Sequence, residues 1–399
     1  MTLSQGRPML AIPGPSVMPD RVLAAMHRPA PNIYAGELHE VTRSLVPDLK
    51  AVARTAHDVA IYIGNGHAVW EASLANVLSR GDRVLVPATG RFGLGWGEMA
   101  RGLGAEVEVM DFGKRAPVDM ARLEERLAAD KGHEIKAVLA VHTDTSTSIR
   151  NDIPGIRAAL DRAGHPALLM ADCMASLGCD RFEMDAWGVD VMTAGSQKGL
   201  MTPPGLAFVW FGPKAAAARE RANCVTAHWD WKPRAHPEEY HQHFNGTAPT
   251  HHIYGLRVAL DMLLKEEGIE AAWARHARLA QAIWAAFETW GQAGPLELNV
   301  ADPAFRSHSV TAVRIGSPHG TALRDWVEQK AGVTLGIGLG MAPPGDPAWH
   351  GFFRVGHMGH VNAHMILGTL GVIEAGLKAL GLPYGPGGLS AAAEVVAGA

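Results

Sequence analysis

From about residue 59 to 212, short apolar runs alternate with helical patterns, and this alternation predicts the core of the fold. The run Val59-Ala60-Ile61-Tyr62-Ile63 reads as a strand that stops at Gly64-Asn65-Gly66, with a helix following over 67–78. Further strands are predicted at 83–86, 106–112, 137–141, 167–171, 189–193 and 206–211, and helices at 92–103, 118–129 and 153–163. Continuous apolar strands separated by helices belong to a largely parallel sheet covered on both faces, so the fold class is α/β.

Between 224 and 252 the texture becomes polar, aromatic and His-rich, without clear periodicity. An amphipathic helical stretch then covers 253–290, with a break near Gly268. Beyond Pro295 the pattern is mixed: strands at 309–315 and 352–355, helices at 321–330 and 362–380, and a Gly-rich turn at 336–340. The division implied is an N-terminal segment (1–20), a large domain (21–291) and a smaller C-terminal α+β domain (292–399). The Gly- and Ala-rich tail after Tyr384 is expected to be mobile.

Composition narrows the function classes. The chain has 399 residues, 47% hydrophobic and 19% charged, which is ordinary for a soluble enzyme. A net charge of −4 gives no general attraction to nucleic acid or an anionic membrane. No apolar run has transmembrane length, and residues 1–10 lack a signal-peptide pattern, so a cytoplasmic protein is expected. The three cysteines are too few and too irregularly spaced for a disulfide framework or a paired-Cys zinc site.

Ligands of open α/β sheets bind outside the carboxyl ends of the strands, and unusual polar residues collect there. The strand over 137–141 ends in His142-Thr143-Asp144-Thr145-Ser146-Thr147-Ser148, the strand over 167–171 in Asp172, and the strand over 189–193 in Ser196-Gln197-Lys198. Asp172 after an apolar run needs a partner or a function. It could cap the next helix, or keep the pyridine nitrogen of pyridoxal phosphate (PLP) protonated so that the ring acts as an electron sink. Lys198 could be a surface lysine, or the Schiff-base lysine of that cofactor and the base that moves its proton. Gly64-Asn65-Gly66-His67, at a strand-to-helix turn, offers backbone amides to a phosphate. It is a poor dinucleotide fingerprint, because Val69 replaces the expected Gly or Ala.

Together these segments resemble the class V PLP-dependent aminotransferases, specifically the alanine–glyoxylate and serine–glyoxylate group. The resemblance runs from Pro13-Gly14-Pro15 through the 64–71 and 142–148 segments to Asp172-Cys173-Met174-Ala175-Ser176-Leu177-Gly178. It continues through Gly195-Ser196-Gln197-Lys198-Gly199 to Phe353-Arg354-Val355-Gly356-His357. It implies the aspartate aminotransferase-like fold (fold type I), a ping-pong transaminase passing an amino group from alanine or serine to a 2-oxo acid such as glyoxylate, and a homodimer whose subunits share active sites. By the same resemblance Lys198 forms the Schiff base and Asp172 pairs with the ring nitrogen. Gly66 and His67 present amides to the phosphate with Gln197 close by, Phe92 stacks on the ring, and Ser146 contacts its hydroxyl region. Thr247 reaches the neighbouring subunit's phosphate, and Arg354 holds the substrate carboxylate in bidentate geometry.

Departures from the pattern are Phe92 in place of Trp, Ser148 in place of Gly, and Phe244-Asn245 in place of Tyr-His. The stretch His228-Trp229-Asp230-Trp231 has no assignable match. Pyridoxamine–pyruvate or other amine–keto acid transamination would use the same Lys198, Asp172 and Arg354. A desulfurase would need a mobile cysteine, for which Cys173 and Cys179 are poorly placed. From a different class, His228, His236, His241, His243, His251 and His252 could form the metal site of a hydrolase.

Overall fold

The computed structural model describes residues 2–398. Apolar runs with no polar alternation have no face to offer water, and they stack into the interior of a seven-stranded sheet. Numbered along the chain, the strands are β1 Met9–Ala11, β2 Asp58–Gly64, β3 Arg83–Ala88, β4 Glu106–Asp111, β5 Ile135–Val141, β6 Thr143–Asp144 and β7 Ile149–Arg150. They continue with β8 Leu168–Asp172, β9 Val191–Gly195, β10 Gly205–Phe211, β11 Glu297–Leu298, β12 Val310–Arg314, β13 Val333–Ile337 and β14 Phe352–Gly356.

The large sheet runs β2-β10-β9-β8-β5-β3-β4. Only β10 is reversed; it pairs antiparallel with both neighbours, and the remaining pairs are parallel. Register aligns Val141 with Asp172 and Asp172 with Thr193, so β5, β8 and β9 end side by side. Gly64 at the end of β2 faces Gly205 at the start of β10. One rim therefore collects the turns after β2, β5, β8 and β9. Helices cover both faces: Leu45, Leu49 and Ile156 pack in the core on one side, Trp70, Trp96 and Val86 in the core on the other.

A second sheet, β1-β13-β14-β12-β11, is covered by the helices Ile269–Gly291, His319–Ala331 and Ala363–Ala379 around a core of its own. The N-terminal segment supplies its edge strand β1, which pairs parallel with β13. The break near Gly268 is present: a π-helical turn, Asp261–Glu267, ends there, and Gly268 takes φ 87° before the next helix begins.

Some expectations change. The tail after Tyr384 is not a loose end: Gly388–Ala397 is a helix whose Ala392 is buried in the second core. Its alanines allow the close approach that their composition disguised as disorder. Gly336 lies inside β13 rather than in a turn, because a Cβ there would stand 2.6 Å from Pro13 Cδ. Helices Asp20–Met26 and Glu37–Ala53 lie in the stretch before residue 59, which the alternation does not reach.

Three enclosed histidines give this scaffold a defined acid sensitivity. Burial pushes His142 and His276 down to about 4 and His357 down to about 3, from an ordinary 6.5. Below pH 6.5 the unfolded chain takes up protons that the folded chain refuses, so stability falls as pH drops toward 4. Each histidine contributes about 1.4 kcal/mol per pH unit in that window. The buried Asp172 carboxyl, pushed up to about 7, and the raised carboxyls of Asp144 and Asp190 oppose this over the same window. Thermal unfolding followed from neutral pH down to about 4.5 is therefore expected to show a fall in Tm that is the net of the two sets. A rise in Tm would show that these rings titrate normally.

Candidate active site

Lys198 stands in the turn just beyond β9, where its side chain is half-buried and its Nζ donates to the Pro13 carbonyl. Burial, reinforced by the Arg354 guanidinium, pushes the amine down to about 8, while Asp172 pulls the other way. The Lys198 turn is clamped by Ser16, whose amide donates to the Gln197 carbonyl at 2.9 Å and whose hydroxyl donates to the Lys198 carbonyl at 2.7 Å.

Asp172 ends β8 and is buried, with one carboxylate oxygen accepting the Met174 amide at 2.7 Å. Burial pushes its carboxyl up to about 7, outweighing that amide, the nearby Trp70 indole N–H and the more distant Lys198. Such a group gains most from a cationic or protonated partner at its other oxygen. The capping alternative fails, because no helix starts between Asp172 and β9 and the Met174 amide belongs to a turn.

Arg354, in β14, is buried and makes no ion pair among the described residues. Its Nε donates to the Ile337 carbonyl at 2.7 Å and Nη1 to the Thr145 carbonyl at 2.8 Å. Burial lowers it to about 10 against the pull of Asp144. Carbonyl oxygens satisfy its N–H groups without neutralising its charge, so the guanidinium is prepared for an anion.

Asp144 holds these parts together, and nothing in its sequence context marked it. Its carboxylate accepts the Phe92 amide at 2.9 Å, the Gly93 amide at 3.3 Å, the Ser146 amide at 3.0 Å and the Ser146 hydroxyl at 2.5 Å. Gly90 makes room for it. The Ser146 hydroxyl also accepts the Arg91 amide at 3.0 Å, so it is occupied within the protein. The neighbouring Thr145 makes no side-chain hydrogen bond among the described residues. Ser148 adopts φ 60°, the left-handed region that favours glycine, and its hydroxyl accepts the Ala312 amide at 3.1 Å, directly opposite Arg354 in the sheet.

Asp144→Ala would strand three amides and a hydroxyl around a cavity. A loss of about 3 kcal/mol of stability is expected, together with weaker retention of any ligand resting on Phe92. Asp144→Asn, which keeps the shape and one acceptor, should lose less. Thermal shift and ligand titration on both variants check this, and equal behaviour of the two would contradict it.

On the opposite side of the rim the helix Gly66–Val77 begins, with Asn65 capping it by accepting the His67 amide at 3.1 Å. First-turn amides of a helix have no partner within it and attract an anion. Phe92 is half-buried at the start of the helix Arg91–Gly102, its ring 6.2 Å from that of Trp70. The Gln197 Oε1 is buried without a hydrogen-bond partner.

A family model described as aminotransferase class V matches residues 20–356. The chain belongs to the class V aminotransferases. It is 36% identical to the serine–glyoxylate aminotransferase of Methylorubrum extorquens, over 98% of this chain and 96% of that one. It is also 36% identical to the L-aspartate–glyoxylate aminotransferase of Paracoccus denitrificans, over 96% and 94% of the two chains. Among solved structures, the pyridoxamine–pyruvate aminotransferase of Mesorhizobium loti superposes with a TM-score of 0.89 at 26% identity, over 100% of both chains. The α/β fold with its mostly parallel sheet is thus that of fold type I, and the cofactor of this aminotransferase is PLP.

The residues present fit that cofactor. Asp172, the Lys198 amine and the start of the helix Gly66–Val77, where Asn65 already takes the His67 amide, stand on one rim and suit the ring nitrogen, the aldehyde and the phosphate of that cofactor. Thr247 is set apart from them, exposed in the loop before the helix Thr250–Leu260. Phe244 is buried in the main core and turned away from solvent.

The His-rich stretch is a structural brace. Arg234 is buried there, donating to the carbonyls of Ile61, His228 and His243. His236 pairs with Asp58 at 2.9 Å, His251 reaches the Arg28 carbonyl at 3.0 Å, and His252 reaches that of Pro204 at 3.2 Å. Among the described residues no three His, Cys, Asp or Glu side chains gather as a metal site. Cys173 and Cys179 are buried, and burial pushes both thiols up, Cys179 to about 12, so neither is a mobile nucleophile. No helix among the described residues is long and apolar enough to cross a membrane.

Proposed function

We propose that this aminotransferase moves the amino group of a small amino acid, serine or alanine, to glyoxylate, alternating the two half-reactions at one site. The observation that supports it most is Arg354: a buried guanidinium with no carboxylate of its own, close enough to Lys198 to depress its amine. Amino donor and 2-oxo acceptor share one feature, a carboxylate next to the reacting carbon. A single fixed cation therefore suits both half-reactions. The relatives named for serine and aspartate as donors and glyoxylate as acceptor support the substrate class.

PLP, when bound, supplies a carbonyl that captures amines and a ring that withdraws electrons from the substrate. The chain's residues do the rest. Arg354 orients the substrate carboxylate, and Lys198 Nζ takes the proton from the substrate α-carbon and would hand it to the cofactor carbon that captured the amine, with the reverse transfer in the second half-reaction. Asp172 holds the proton on the ring nitrogen, which keeps the ring electron-poor. Gly66 at the helix start, His67 once its amide leaves the Asn65 cap, and Gln197 through its amide nitrogen would receive the phosphate, and Phe92 would lie against the ring. Ser146, in the loop that Asp144 sets, would contact the ring hydroxyl region. Thr247 serves the phosphate of a second copy, which makes the working unit a homodimer.

The test is spectroscopic. Visible absorbance of the purified protein should bleach on adding serine or alanine and return on adding glyoxylate. Bleaching by pyridoxamine with recovery by pyruvate, and none with the amino acids, would overturn the proposed substrates.

A further inference from the structure

We infer that the Pro13 carbonyl is the resting point of the Lys198 ε-amino group whenever it is released from the cofactor, with the space beside Gly14 left open to the lysine side chain. This rests on Lys198 being the cofactor lysine, as proposed above. It makes the loop after β1 a positioning element of the reaction.

Nζ of Lys198 donates to the Pro13 carbonyl. A Cβ on Gly14 would lie 2.5 Å from Nζ, 2.6 Å from Cδ and 2.7 Å from Cε of the same lysine, so an alanine there would push the flexible end of that side chain away from the Pro13 carbonyl, while φ 95° favours glycine independently. The loop is held from both sides. Toward the large sheet, Ser16 binds the carbonyls of Gln197 and Lys198. Toward the small sheet, a Cβ on Gly336 would stand 2.6 Å from Pro13 Cδ, and one on Gly356 would stand 2.7 Å from Pro13 N. Gly336 pairs with Arg354 in the sheet and Gly356 is in the same strand as Arg354, so the backbone carrying the Pro13 carbonyl is packed on the element that carries the substrate-binding guanidinium.

The consequence is thermodynamic. During a transamination cycle the lysine is linked to the cofactor in its aldehyde form and free when the cofactor carries the amino group. A desolvated free amine needs an acceptor, and a carbonyl is the one this pocket gives it. The Pro13 contact therefore stabilises the amino form of the enzyme relative to the aldehyde form.

Gly14→Ala tests this in the holoenzyme. The equilibrium of the serine half-reaction, read from the absorbance of the two cofactor forms, is expected to shift at least about tenfold toward the aldehyde form, the scale of one lost charge-assisted hydrogen bond. An unchanged equilibrium would overturn the inference. A merely structural role for Gly14 would lower stability in both forms and leave that ratio in place. Should Gly14→Ala fail to fold, the double variant Gly14→Ala/Lys198→Ala decides. Recovery of folding when the lysine side chain is removed supports the contact; failure of the double variant assigns the defect to the positive φ of Gly14 and sinks the idea. Failure of the underlying reading is distinguishable: Lys198→Ala alone would then turn over substrate normally.

Discussion

Lys198→Ala is expected to lower kcat by about 10⁴-fold, the upper end of what a positioned proton-transfer group supplies. The reason lies in the lowered amine. With the amine held at about 8, about a tenth of it is unprotonated at pH 7, far more than of an ordinary lysine, and no other lysine stands in the segments that directly follow β5, β8 and β9 to replace it. Stopped-flow measurement of the serine half-reaction checks the rate. Borohydride reduction of the wild-type holoenzyme followed by peptide mass analysis checks the site, and the cofactor should be found on the peptide containing Lys198. A label elsewhere, or a variant that keeps its rate, would refute the assignment. The protein should remain folded, because the backbone of the turn is clamped by Ser16 and not by the lysine side chain.

Arg354→Ala should raise KM for both the amino acid and glyoxylate by about 10²- to 10³-fold while PLP stays bound. Removing one partner of a buried charge pair typically costs about 2–5 kcal/mol, and each 1.4 kcal/mol or so is tenfold. Both substrates should suffer alike, since each presents its carboxylate to the same guanidinium. Arg354→Lys should recover little, because an ammonium cannot reproduce the planar fork that also reaches the Ile337 and Thr145 carbonyls. Steady-state kinetics on both substrates, with cofactor content measured by absorbance, is the check. An unchanged KM for either substrate would show that the carboxylate is held elsewhere.

The strands that build the large sheet were legible because their apolar runs have only one way to escape water. Asp172 and Lys198 were legible because a charge directly after such a run has to be explained. Asp144 was not. It sits among hydroxyl residues where an acid looks ordinary, and its role depends on Phe92 and Gly93, which lie far off in sequence and arrive only when β3 and β5 pair. The terminal helix Gly388–Ala397 escaped the pattern for a related reason: its glycine and alanines carry little hydrophobic signal, yet they permit the closest packing.

By itself, the sequence determined the α/β class, the family pattern and the polar residues that terminate the strands, because those follow from local periodicity and from residue types at fixed spacings. The tertiary structure alone decided which groups meet. It brought β1 from the N-terminal segment beside β13, set the Pro13 carbonyl against Lys198, and placed Arg354 from the small sheet over the rim of the large one. Pro13 and Lys198 are 185 positions apart in the chain, and Thr145 and Arg354 are 209 apart. Periodicity describes how a segment buries its own face. Only packing decides which distant segment it buries that face against.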